Sequence, residues 1–302
     1  MTTLEKDLVQ ARGARRSTRA PHRKHRTGLR RRTLRYACNA LGISATVVFL
    51  YPVLLTISTA LRKAADVAAS PLGLPLHPTF ANIATAFRNM DFARSVLNTL
   101  LITASATVIV VILGSLAAYP LARITASWST WTYRLFLGGM AIPLFVGIAP
   151  LYITLRNMGL VNSYLGVILI EAGVNLPLAV FFYTSFVRSV PRELEEAAAL
   201  DGCGALRTFG TTILPLLRPI TGTLIMFVTL AVWNDLAVPL VFLQNPQQRT
   251  VMVNAYSYIG PHGFEPTTLF ATAFLGALPL LVGFVFLQRL ITEGITAGAV
   301  KG

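Results

Sequence analysis

The sequence predicts an all-α polytopic membrane fold with six transmembrane helices. Three observations predict it. Apolar residues make up 54% of the chain and charged residues only 13%, against about 25% charged in a soluble domain. The apolar residues fall in continuous runs long enough to cross a bilayer, which takes about 20 residues per helix. One short, charged, helix-forming segment, 188–219, is lodged between two of those runs. For 302 residues, length alone suggests about two soluble domains, and the apolar runs overrule it.

The runs are Ala37–Leu61, Val96–Ala122, Leu135–Leu155, Tyr164–Phe186, Ile220–Leu243 and Leu269–Leu287. Lipid offers no partner for backbone N–H and C=O groups, so each run must be a helix or a barrel strand. Their apolar residues are unbroken rather than alternating, which selects helices.

Basic residues then set the orientation. The tail 1–36 holds 12 of the 26 lysines and arginines. With it in the cytoplasm, 20 basic residues fall inside and 6 outside; without it the count is 8 to 6, so the tail carries the argument. An even number of spans returns the C-terminus to the cytoplasm. The expected organisation is a disordered basic tail, 1–36, and a transmembrane domain, 37–302. The tail could also bind anionic lipid or nucleic acid. No aromatic residue interleaves its charges before Tyr36, so a solvated topology signal is the better reading and no nucleic-acid partner is expected. A cleaved leader is not expected, because Ala37–Leu61 is longer than a signal-peptide core.

Other signals bound the chemistry. Cys38 and Cys203 fall on the cytoplasmic side, where thiols stay reduced. The histidines at 22, 25, 77 and 262 have no metal-ligand spacing. No G-x-x-x-x-G-K-[ST] occurs, so this chain cannot hydrolyse ATP by itself. The longest external loop, 62–95, is broken by Pro71, Pro75 and Pro78, and Phe80–Phe87 within it reads as a short amphipathic helix that an external partner could dock on.

Segment 188–219 reads as two short helices joined by a turn. Ser189 can cap the first, with Pro191 in its early turn. Glu193, Glu195 and Glu196 suit the positive end of a helix, and Ala197, Ala198, Ala199 and Leu200 are strong helix formers. Gly202 and Gly204 permit a reversal. A second piece, Leu206–Leu214, ends at Pro215, and Pro219 opens the fifth span. The alanines allow another protein to approach closely and the acids offer it charge-assisted contacts. An ordinary interfacial amphipathic loop would look the same.

Charges within spans need a reason, since one at mid-helix costs roughly 2.5–3.5 kcal/mol on insertion scales. Glu171 and Asp235 stand at similar expected depth in spans four and five. With Asn175, Trp233 and Asn234 they could line a water-filled vestibule in which carboxylates and amides meet solute hydroxyls and the indole stacks on a sugar face. Alternatively Asp235 and Asn234 bridge helices or cap a local break, and Glu171 is protonated or near the interface. Pro52, Pro143, Pro150, Pro177, Pro239 and Pro279 interrupt spans and predict kinks.

Glu196-Ala197-Ala198, Asp201-Gly202, Phe209, Ile213, Leu214-Pro215 and Pro219 resemble the EAA loop of ABC importer permeases. Pro191-Arg192-Glu193-Leu194-Glu195, Tyr119-Pro120-Leu121-Ala122-Arg123, Pro150-Leu151-Tyr152, Gly159-Leu160-Val161-Asn162 and Trp233-Asn234-Asp235 are similar to the carbohydrate branch of that family, as is the ending Leu290-Ile291-Thr292 through Gly298–Gly302. The resemblance covers about 37–302 and is nearest to the second permease of maltose-type sugar importers.

It implies a type I importer half-pore in a bacterial or archaeal cytoplasmic membrane. A homologous second permease would complete the path, two ATPase subunits would hold ATP and Mg on the cytoplasmic side, and an external solute-binding protein would deliver a sugar. This chain itself would carry no cofactor or metal and no catalytic residue. Glu193, Glu196, Ala197, Ala198, Asp201, Gly202, Phe209, Leu214 and Pro215 would couple it to the ATPase, and the C-terminal Ala297–Gly302 could reach the ATPase too. The same architecture could import a polyol, a glycerol phosphodiester or an amino acid. An ion-coupled carrier or a membrane enzyme is the reading from a different class.

Overall fold

The computed structural model describes residues 26–258 and 265–299, and every regular element among them is helical. The chain divides into two units at Leu54. Within the first, helix α1 (Arg26–Ala60) begins, so the end of the expected disordered tail is helical rather than coil; residues 1–25 of that tail lie outside the described residues.

The second unit carries α2 (Ala64–Ala69), α3 (Ala81–Asn89), α4 (Phe92–Arg123), α5 (Ser127–Gly139), α6 (Leu144–Asn157) and α7 (Tyr164–Ser189). After these come α8 (Glu193–Leu200), α9 (Ala205–Thr208), a π-type turn (Phe209–Ile213) and α10 (Leu214–Leu216). The chain continues with α11 (Arg218–Asn234), α12 (Ala237–Phe242), a 3-10 turn (Pro246–Gln248), α13 (Val251–Tyr256) and α14 (Pro266–Ala299). The amphipathic helix expected in the external loop is α3, which buries Ala86 against Ala60, Ala271 and Leu275.

Among the described residues four helices are long and apolar enough to cross a membrane, and six spans result only if two bent pairs each count as one. Two of the expected runs are not single helices. Leu135–Leu155 is not one helix: α5 and α6 meet at 102° across residues 140–143. Gly138 and Gly139 weaken the helix there, and Pro143 cannot continue it because it lacks an N–H. Ile220–Leu243 is broken too: α11 stops at Asn234, Asp235 is extended (φ −70°, ψ 128°), and α12 is a separate short helix. Pro120, Pro150, Pro177 and Pro279 lie inside helices that continue through them.

The core is the α4–α7 pair. Ile102, Ala106 and Val110 recur every four residues along α4, so one face buries them against the α7 residues Val167, Ala179, Tyr183 and Val187. Gly114 permits this approach: a Cβ there would lie 2.7 Å from Cβ of Ala179. Because small residues meet at the crossing, the backbones come close enough for dispersion and packing, the forces that hold helices together in lipid.

α4 also organises the end opposite segment 188–219. Asn98 Nδ2 donates to the carbonyls of Gln247 (3.0 Å) and Arg249 (3.0 Å), and its Oδ1 accepts from Tyr164 Oη at 2.8 Å. Thr99 Oγ1 accepts from Val251 N at 3.0 Å, and Asn254 Nδ2 donates to Met90 O (2.8 Å) and Ser95 Oγ (2.7 Å). One helix of 32 residues, about 48 Å at 1.5 Å per residue, thus runs from that end to segment 188–219.

Candidate functional site

Segment 188–219 folds as helix, turn and helix, with local differences from expectation. Ser189 does not cap α8. It is the last residue of α7, and its hydroxyl donates to Phe186 O at 2.7 Å. α8 instead starts after Arg192, whose carbonyl accepts from Glu195 N and Glu196 N. Three carboxylates in the first turn complement the positive helix end there.

The reversal follows from one glycine. Gly202 has φ +79°, its N–H donates to Ala199 O (3.0 Å), and Cys203 N donates to Ala198 O (2.9 Å). Together these bonds close the helix in the left-handed C-terminal motif that favours glycine. Gly204, expected to share the turn, is an ordinary extended residue (φ −75°, ψ 164°) that opens α9. Gly202→Ala is therefore expected to destabilise the turn by about 1 kcal/mol, and Gly204→Ala to have no measurable effect. Thermal midpoints of the two purified variants check the contrast.

The second piece does not end at Pro215. The chain winds through the π-type turn, and Pro215 sits in the first turn of α10, where its missing N–H costs nothing. The 73° bend comes after it, where Arg218 opens α11 with Pro219 in its first turn.

The outward and inward faces separate clearly. Glu193, Glu196, Ala197, Asp201, Gly202, Leu214 and Pro215 are exposed, and Ala198 is half-buried. Phe209 faces inward: it is buried, with its ring 5.3 Å from that of Tyr119. Sequence reasoning missed two outward residues. Leu200 is 90% exposed and Leu206 is 82% exposed, flanking the turn. Two leucines placed around a glycine reversal in a water-facing segment were the available signal. It also missed that Glu195 turns inward, with Oε2 accepting from Tyr119 Oη at 2.9 Å and Oε1 held by Arg123 at 2.6 Å.

Glu171 and Asp235 are brought together. Glu171 is buried on α7 and faces Asp235, and α12 packs on α7. Asp235 Oδ1 accepts from Ala237 N (3.2 Å) and Oδ2 from Val238 N (2.9 Å), so the carboxylate caps the break before α12. Asn175 is buried beside them, donating to Glu171 O at 2.9 Å. Trp233 is buried against Met90 and Val251, with Nε1 reaching Gly276 O at 3.4 Å. With Thr103, Met226 and Pro279 it lines an apolar cavity of about 240 Å³. Asn234 alone of the five is exposed, its amide donating to Leu230 O at 2.8 Å. Asp235→Ala should lower stability by about 1 kcal/mol through loss of the cap, while Asp235→Asn stays within a few tenths; thermal midpoints distinguish them. Among the described residues no cluster of three His, Cys, Asp or Glu is placed to hold a metal ion.

Comparison with known proteins places this geometry. Residues 110–296, which include segment 188–219 and both carboxylates, match the model of the binding-protein-dependent transport system inner membrane component. The melibiose/raffinose/stachyose import permease protein MelC of Bacillus subtilis (strain 168) is 33% identical over 274 residues, covering 90% of this chain and 99% of MelC. The diacetylchitobiose uptake system permease protein NgcG of Streptomyces coelicolor is 32% identical over 266 residues, 87% of this chain and 88% of NgcG. A chain in the crystal structure of a bacterial ABC transporter involved in the import of the acidic polysaccharide alginate has the same fold, with a TM-score of 0.75 at 19% identity, over 89% of this chain and 99% of that one. This chain belongs to the family of binding-protein-dependent transport system inner membrane components and is a multi-pass transport subunit of an ABC importer, not an enzyme.

Proposed function

We propose that this subunit forms half of the membrane path of a sugar or oligosaccharide importer, and that 188–219 is the loop a separate ATPase grips. Membership of the family implies ATPase and solute-binding partners. Beyond that, the proposed assembly has a homologous second permease and two ATPase subunits, which hold ATP and Mg. The tail 1–36 and both chain termini lie in the cytoplasm, and the loop 62–95 faces outside. The observation that carries the coupling role is the division of faces in 188–219. Glu195 and Phe209 tie it to its own chain, while Glu193, Glu196, Asp201, Leu200 and Leu206 are exposed, with no partner surface among the described residues. A short helix so held transmits motion as a rigid body.

The sugar reading is supported by the printed substrates of relatives, melibiose, raffinose, stachyose and diacetylchitobiose. In the path, Asn234 is the solute-facing candidate, and Glu171, Asn175, Trp233 and Asp235 hold its helix break in place from behind. The test is uptake by the reconstituted complex in vesicles with those four sugars and the cognate binding protein. ATP-dependent uptake of at least one supports the sugar reading. ATP consumption indifferent to every sugar-loaded receptor contradicts it.

A further inference from the structure

Segment 188–219 is covalently joined to α7 and α11, yet its ion pair is with α4. Arg123 Nε and Nη2 both lie 2.6 Å from Glu195 Oε1, and Nη2 also donates to Val190 O at 3.0 Å. Tyr119 Oη donates to the other carboxylate oxygen at 2.9 Å, and the Tyr119 ring rests on Phe209. Two side chains one turn apart on α4 therefore hold three points of the loop: the link before α8, α8 itself and the π-type turn. Both charged side chains of the pair are largely withdrawn from solvent, where a charge-assisted contact, here two guanidinium nitrogens on one carboxylate oxygen, is strengthened and little screened. From there α4 runs unbroken to its contacts with Gln247, Arg249 and Val251.

We propose that Arg123, Glu195 and Tyr119 form the joint through which movement of the loop enters span two, making α4 the strut that carries it to segment 246–256 at the opposite end. The inference rests on the reading of 188–219 as the ATPase-gripped loop, and adds three positioning residues that act inside the subunit rather than on the ATPase. The joint stays closed through the cycle, so that α4, α7 and the loop move as one body.

The test uses the complete complex with its partner permease, ATPase subunits and binding protein. Glu195→Gln keeps the shape and removes the charge, and is expected to raise ATP hydrolysed per sugar imported at least about tenfold, with the ATPase subunits still co-purifying. Tyr119→Phe, which keeps the ring on Phe209, is expected to give a smaller loss. The exchange Arg123→Glu with Glu195→Arg is expected to recover most of the coupling that either single change removes. A second readout needs no solute and covers failure of a variant to transport. Spin labels at Asp91→Cys and Thr211→Cys, in a Cys38→Ser, Cys203→Ser background, report the distance between the far end of α4 and the loop. With the joint intact it is expected to change by less than about 2 Å between nucleotide-free and vanadate-trapped states, and to shift further in Glu195→Gln. Wild-type coupling in Glu195→Gln, an exchange no better than the single changes, or a large distance change with the joint intact would each overturn the proposal. Failure of the ATPase to co-purify with the wild-type chain would instead sink the coupling reading beneath it.

Discussion

Replacing Leu200 and Leu206 together by aspartate is expected to strip the ATPase subunits from the purified complex and to lower uptake at least about hundredfold. Both leucines project from the tip of the loop and are almost wholly in water. Exposed leucine on a loop between spans has a cost unless something covers it, and burying each contributes about 1.5–3 kcal/mol. Two such losses, together with two new charges forced against whatever surface covers the leucines, exceed the 2.8 kcal/mol or so that a hundredfold change requires. Neither residue belongs to the buried core, so the thermal midpoint of the permease itself is expected to hold. ATPase retention would show that the grip lies elsewhere. The acidic residues beside the leucines have a different part. In the proposed coupling role Glu196 and Asp201 supply orientation and charge-assisted contacts, and their single replacements are expected to weaken attachment less than the leucine pair does.

Gly114→Leu is expected to abolish accumulation of the chain in the membrane. Carbon atoms pack at about 3.5–4.0 Å, whereas a Cβ at this position would sit 2.7 Å from Cβ of Ala179 with the Tyr183 ring at 3.5 Å. α4 and α7 are the two longest fully described spans in contact, and neither can give way without opening the core. Gly114→Ala is expected to cost about 1–3 kcal/mol. Adding Ala179→Gly moves the missing methyl to the other helix and should recover most of that loss. Membrane yield and thermal midpoint of the single and double variants check this. If Gly114→Ala alone is neutral, the two helices are not held at the distance seen.

Much of this architecture was legible in the residues because hydropathy is a local property. The long runs at 96–122 and 164–186 needed only their own composition to be recognised as helices, which the structure extends to 92–123 and 164–189. The breaks were legible in kind but not in size. Pro143 after Gly138-Gly139 announces a disturbance, yet only packing decides between a gentle kink and a 102° corner. Asp235 suited a bridge or cap somewhat better than a vestibule, and the choice lay in whether α11 stopped at Asn234, which no local rule dictates.

In segment 188–219 the helix, the turn and the role of Gly202 could be read directly, since left-handed closure demands a glycine. The facing of Glu193, Glu195 and Glu196 could not. Neighbours on a helix differ by about 100°, so which one turns inward depends on Arg123, 72 residues away. Phe209 misled for the same reason. It belongs to the recognisable loop pattern, but its neighbour Tyr119 lies on another helix and draws it into the core.

The most direct measurement is a photo-reactive amino acid placed at Leu200 and activated in native membranes. The account predicts a covalent adduct with the ATPase subunit, formed from the cytoplasmic side and altered by ATP. An adduct with the external solute-binding protein, or none with the ATPase under any nucleotide condition, would contradict it.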